Sequence, residues 1–76
     1  MTDIVMPRLT DSMEEGTIIA WLKQDGDEVT VGEELVEIET DKASMVYEAD
    51  TAGTLSIKVP EGETLEIGTP IATVGG

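Results

Sequence analysis

Few residues in this chain could carry chemistry. Cysteine and histidine are both absent, which removes thiol nucleophiles, imidazole bases and the soft or imidazole metal ligands. Only 4 basic side chains face 17 acidic ones, and the amines are Lys23, Lys42 and Lys58. Lys42 has the distinctive setting: it stands in Glu39-Thr40-Asp41-Lys42-Ala43, a lone amine among carboxylates. Lys23 leads into Gln24-Asp25-Gly26, and Lys58 follows an alternating apolar stretch, so neither shares that context. Taken by itself, such a lysine reads as a solvated residue of a turn. Any thiol chemistry would have to come from something attached to the chain.

Positioning Lys42 falls to the stretch from Leu35 to Glu48, whose alternation predicts a hairpin with Asp41-Lys42 at its tip. Pairing Thr40 with Ala43 sets Ile38 opposite Met45 and Val36 opposite Tyr47 as one apolar face, with Glu37 and Glu39 turned away from the core. Asp-Lys is not the dipeptide of the commonest two-residue hairpins, which use Asn-Gly or Asp-Gly to supply positive φ. Either another turn type is used or function has chosen the residue.

Around that hairpin the chain repeats itself. Gly26-x-x-Val29-x-Val31-Gly32-x-x-Leu35-x-x-Ile38 recurs 36 positions on as Gly62-x-x-Leu65-x-Ile67-Gly68-x-x-Ile71-x-x-Val74. Upstream, Gly16-Thr17-Ile18-x-Ala20-x-Leu22 matches Gly53-Thr54-Leu55-x-Ile57-x-Val59 after one residue of slippage. Alone, Ile18–Lys23 fits a helical stripe as well as a strand. The strict alternation of its second copy assigns residues 17–23 to a strand. Glycine and proline leave apolar runs too short for ordinary helices, so the chain is read as all-β. Neither half could bury its apolar face alone. Two halves related by a pseudo-two-fold axis would close a small sandwich or flattened barrel.

With 76 residues there is one domain, whose core must be Val, Ile, Leu and Met, since Phe is absent and Trp21 and Tyr47 are the only aromatics. A chain this small has little room for an enclosed catalytic cavity, which favours a carrier or binding role. The formal net charge of -13 repels phosphate backbones and anionic membrane surfaces, so neither nucleic acid nor membrane is an expected partner. The charge suits a solvated surface, or guidance toward a basic partner. No run of about 18 apolar residues and no basic leader is visible, so the expected location is the cytoplasm.

Glu39-Thr40-Asp41-Lys42-Ala43 resembles the lipoylation motif of the lipoyl domains in dihydrolipoyl acyltransferases. Met6-Pro7-x-Leu9, Glu15-Gly16-Thr17-Ile18 with Trp21, Gly26-Asp27-Glu28-Val29 and Gly53-Thr54-Leu55 follow the order and approximate spacing of that family, over residues 3–74. The resemblance implies a flattened barrel of two four-stranded antiparallel sheets, the barrel-sandwich hybrid, with the modified lysine at a hairpin turn and both chain ends in the opposite sheet. It implies lipoate as cofactor, joined to the Lys42 amine as an amide by a lipoate ligase or lipoyl transferase, with Asp41 and Ala43 as flanking recognition residues. The domain would be a non-catalytic carrier, monomeric in isolation. Its partners would be a thiamine-diphosphate-dependent 2-oxo acid decarboxylase, the acyltransferase core of its own chain and the flavoprotein dihydrolipoamide dehydrogenase.

The resemblance further places the segment Arg8–Glu15 near the modified turn, where Thr10, Asp11, Ser12 and Met13, with Glu39 and Thr40, would meet the decarboxylase. Pyruvate-type members often read M-P-x-L-S-P-T-M here. This chain has Thr10-Asp11-Ser12 where Ser-Pro-Thr would stand, and Asp11-Ser12 is similar to oxoglutarate-type members. Met6, Met13 and Lys42-Ala43 favour a pyruvate or acetoin complex. Two other readings compete. A biotin carboxyl carrier domain shares the fold, but usually flanks its lysine with methionines. A ubiquitin-like or sulfur-carrier protein would use Gly75-Gly76 and need a sizeable amphipathic helix. Gly75-Gly76 is read instead as the start of a flexible linker after a domain spanning 1–74.

Overall fold

The computed structural model describes residues 2–75. It holds eight strands: β1 (Thr2–Val5), β2 (Glu15–Trp21), β3 (Glu28–Val29), β4 (Glu34–Glu39), β5 (Ser44–Glu48), β6 (Gly53–Ile57), β7 (Thr64–Glu66) and β8 (Pro70–Gly75). No helix occurs among the described residues, so a ubiquitin-like fold is ruled out. The ambiguous stretch at Ile18 is a strand, but one that begins and ends two residues earlier than 17–23. Its early start follows from pairing with β7, where Glu15 faces Glu66, and it carries a bulge: Ile18 faces Ile38 and Ala20 faces Glu37, leaving Ile19 as the extra residue, turned outward and 41% exposed.

The strands form two four-stranded antiparallel sheets in the orders β1-β8-β6-β3 and β5-β4-β2-β7. Exchanging each strand for the one four places away in the chain turns one order into the other, which is the two-fold relation that the repeat predicts. The turns follow the same symmetry. Gly26 and Gly62 have φ of 91° and 94°, and Gly32 and Gly68 have 92° and 90°, a left-handed conformation that glycine alone adopts at little cost. The first and last strands, β1 and β8, lie in the sheet opposite the Lys42 hairpin. Gly75, assigned from sequence to a linker, instead lies in β8 opposite Thr54, and Gly76 falls outside the described residues.

One connection breaks the symmetry. The β1–β2 loop covers residues 6–14, whereas its counterpart between β5 and β6 covers only 49–52. The other paired connections match within one residue.

The core lies between the sheets and is aliphatic, as composition requires. Ile4, Ile18, Leu35, Ile38, Leu55 and Ile71 are buried to within 1% exposure. Met6 and Met13 join them at 0%, and a Cβ on Gly16 would lie within 2.9 Å of Met13, Met6 and Ile38, so the long loop is pinned at both ends by methionines packed over a glycine. Trp21 ties the halves together: its indole N–H donates to the Val59 carbonyl at 2.9 Å and its backbone N–H to the Glu61 carboxylate at 2.8 Å.

Candidate functional site

The β4–β5 hairpin has the expected register, with Val36 opposite Tyr47, Ile38 opposite Met45 and Glu39 opposite Ser44. The apolar face is less complete than alternation implies. Val36 and Ile38 are fully buried, yet Met45 is 41% exposed because β5 is an edge strand with no neighbour beyond it. Tyr47 is half-buried, and its hydroxyl pKa is pushed up by that burial and by the charge of Asp50.

The turn at the tip solves the problem of Asp-Lys without positive φ, which no described non-glycine residue adopts. Thr40 N–H donates to the Ala43 carbonyl at 2.9 Å. The Thr40 hydroxyl accepts from the N–H groups of Lys42 and Ala43 at 3.2 and 3.1 Å and donates to the Ala43 carbonyl at 2.6 Å. A side chain thus substitutes for the backbone acceptor that a tighter turn would supply. Thr40, expected to touch a partner, organises the turn as well.

Lys42 stands exposed on that turn, between exposed Asp41 and Ala43. Among the described residues the ion pair is Lys23–Glu33, at 2.8 Å. The pairing raises the Lys23 pKa and lowers that of Glu33, chiefly through their hydrogen bond. Lys23 is therefore engaged, while the Lys42 amine has no such partner among the described residues. An accessible, unengaged amine on a fixed turn suits amide attachment of a carboxylic cofactor.

The loop of residues 6–14 is fastened to this turn. Thr10 Oγ1 donates to Asp41 Oδ1 at 2.8 Å, and the Ser12 hydroxyl donates to Asp41 Oδ2. The Ser12 bond, then the Thr10 bond, hold the Asp41 carboxyl below the usual carboxylate range, with a smaller contribution from the Lys42 charge. Asp11 projects, exposed, between the two hydroxyls. Met13 is a correction: grouped from sequence with the partner-binding loop, its side chain is fully buried and is part of the core. Met6 is equally buried, so the two methionines that suggested a pyruvate-type complex report on packing. Arg8, included in the recognition segment but given no role of its own, closes the loop from within: its guanidinium Nη1 donates to the carbonyls of Met13 at 2.9 Å and Asp11 at 3.3 Å. Its being the chain's single arginine was the available signal.

Beside the tip lies an open cleft of about 310 Å³, lined mainly by Ser12, Glu14, Glu15, Thr17, Glu39 and Thr64. Thr17 and Thr64 join their hydroxyls across it at 2.7 Å. Its walls mix carboxylates and hydroxyls with hydrocarbon surface in similar measure.

The chain matches the sequence family described as "Biotin-requiring enzyme" (Biotin_lipoyl) over residues 2–74. It is 46% identical, over 99% of its length, to the dihydrolipoyllysine-residue succinyltransferase component of the 2-oxoglutarate dehydrogenase complex of Staphylococcus saprophyticus, of which it covers 18%. It is 44% identical, over 97% of its length, to the dihydrolipoyllysine-residue acetyltransferase component of the pyruvate dehydrogenase complex of Corynebacterium glutamicum, covering 11% of that protein. The chain therefore spans less than a fifth of these relatives. Among solved structures it is similar to the lipoyl domain of the 2-oxoglutarate dehydrogenase complex from Azotobacter vinelandii, with a TM-score of 0.78, 34% identity and all of both chains covered. A two-fold all-β barrel with a free lysine at a hairpin tip, matched along its whole length by an isolated lipoyl domain, places this chain in the biotin/lipoyl attachment family as one of its lipoyl domains, non-catalytic carriers that bear lipoate covalently on a lysine.

Proposed function

We propose that Lys42 is the lysine that bears lipoate, and that the chain is the lipoyl-bearing segment of an acyltransferase in a 2-oxo acid dehydrogenase complex. The observation that carries this reading is the unengaged Lys42 amine on a turn held by the Thr40 hydroxyl. When bound, the cofactor supplies a disulfide that accepts an acyl group on one sulfur and a proton on the other as the decarboxylated 2-oxo acid is oxidised to a thioester. The chain's own residues do the positioning: Thr40 shapes the turn and Asp41 ties it to the loop. A thiamine-diphosphate decarboxylase would load the arm, the acyltransferase core would unload it to coenzyme A, and a flavoprotein would reoxidise the dithiol. Tethering explains the value of the arrangement, because a group on an arm and linker meets its next site at an effective concentration up to the millimolar range.

Since Met6 and Met13 are core residues, the exposed part of Thr10-Asp11-Ser12 is what would distinguish a pyruvate-type from an oxoglutarate-type decarboxylase. Both complex types appear among the relatives at nearly equal identity. Lipoylation in vitro followed by peptide mass mapping should place lipoate on Lys42 and leave Lys23 and Lys58 free. Incubation with pyruvate-type and oxoglutarate-type decarboxylases should then load the lipoylated chain with one and spare Lys42→Arg. Lipoate on another lysine, or biotin on Lys42, would refute the assignment.

A further inference from the structure

The β1–β2 loop is where the two halves of the fold differ in length, by nine residues against four, and it lies beside the attachment turn. Its extra length is not left loose. Arg8 closes it from within, one guanidinium nitrogen reaching the carbonyls of both Asp11 and Met13. Leu9 N–H donates to the Met13 sulfur at 3.4 Å, and Met13 N–H donates to the Thr10 carbonyl at 3.3 Å. Buried Met6 and Met13 anchor the base, and at the apex the hydroxyls of Thr10 and Ser12 both point at one acceptor, Asp41, 31 and 29 positions away in the chain.

We propose that Arg8, Thr10 and Ser12 are positioning residues for reductive acylation: acting through Asp41, they latch the 8–13 loop to the turn that carries Lys42, so that the decarboxylase meets one preformed surface. This inference rests on the carrier role proposed above. Thr10 and Ser12 then serve the partner by holding the loop, with their hydroxyls directed inward, while Asp11 stays free at the surface. The physical basis is preorganisation. Chain segments ordered before encounter need not be ordered during it, which lowers the cost of docking. A bidentate carboxylate accepting two hydroxyls fixes both distance and rotation of the loop relative to the turn, whereas a single bond would leave a hinge. Because the latch is remote from the reacting sulfur, its loss should appear in KM and leave the saturated rate largely intact.

The test compares wild type, Thr10→Val/Ser12→Ala, Thr10→Ser/Ser12→Thr, Asp41→Asn and the triple combination of the first pair with Asp41→Asn. In the unlipoylated proteins, amide hydrogen exchange at residues 10–13 and 41–43 should quicken together in the hydroxyl-less pair and in Asp41→Asn, with the β4 and β8 amides unchanged as the sign of an intact barrel. In the lipoylated proteins, kcat/KM for reductive acylation should fall on the order of tenfold in the hydroxyl-less pair, within the range that misplacement by an ångström produces, with the fall carried by KM. The hydroxyl-retaining pair should match wild type, and the triple variant should be no worse than Asp41→Asn. Arg8→Gln should show the same KM-weighted loss with quickened exchange in the loop alone. A hydroxyl-less pair that exchanges quickly but is acylated like wild type overturns the latch while leaving the carrier role standing, as do losses that simply add in the triple variant. Wild-type chain that is lipoylated yet acylated by no decarboxylase overturns both.

Discussion

Asp41 shows how far one carboxylate can be used. It precedes Lys42 in sequence, accepts from two hydroxyls of a distant loop, and has its pKa lowered chiefly by those bonds. A carboxyl whose folded pKa lies below its unfolded value stabilises the fold at every pH above the unfolded value and loses that contribution as pH falls through the folded one. Urea midpoints of wild type should therefore exceed those of Asp41→Asn at neutral pH and converge with them once pH drops below the ordinary aspartate range. Midpoints that differ equally at both pH values would show that the carboxylate's charge is not what the hydroxyls recognise. Lys42 and its flanking residues could be picked out from the sequence because their peculiarity is local, an amine among acids at a hairpin tip. The Asp41 latch could not, since nothing in spacing pairs Thr10 and Ser12 with a residue some thirty positions on.

Strands and turns were legible to the extent that period-two alternation and glycine spacing control them. The β4–β5 register follows from the apolar pattern alone. What escaped were the bulges, at Ile19 in β2, at Leu35 in β4, where the pairing skips from Glu34 to Val36, and at Ile71 in β8, where it skips from Ala72 to Pro70. An inserted residue breaks alternation, so consecutive Leu35 and Val36 are both buried while Ile19 faces water. The matched glycines make a firmer prediction. At Gly32 and Gly68 a Cβ would meet nothing within 4 Å, so any penalty there is conformational. Gly32→Val and Gly68→Val should each cost about 1–3 kcal/mol, and the asparagine substitutions less, because asparagine tolerates the left-handed region. Gly16 is the contrast: its space is already occupied by Met6, Met13 and Ile38, so Gly16→Ala should destabilise through overpacking even though its backbone is unstrained. Chemical denaturation of the set separates the two causes. Equal losses for valine and asparagine at Gly32 would contradict the conformational account.

At the scale of the molecule, a formal charge of -13 is carried on 76 residues, and self-repulsion opposes the compact state. Raising ionic strength from low salt to about 0.15 M shortens the screening length to about 8 Å, so the thermal midpoint should rise; a fall would mean that attractive pairs such as Lys23–Glu33 dominate. The two-fold relation has a different consequence. Val74 faces Thr2 across β8 and β1 as Ile38 faces Met45 across β4 and β5, so the place where the chain enters and leaves is the mirror position of the lysine tip. The Lys42 turn and the meeting point of β1 with β8 occupy equivalent poles of one body. Joining Val74 to Thr2 through a copy of Glu39–Ser44, and opening the chain instead in the short exposed turn at Thr51-Ala52, would give a barrel with a lysine at each pole but a latched loop at only one. Mass mapping after lipoylation would then read out what a modifying enzyme recognises: two lipoyl groups if the turn suffices, one if the loop is also required. Either way the new ends, at the two-fold counterpart of the latched loop, would lie next to Gly53 and so beside Gly75, close to the second lysine.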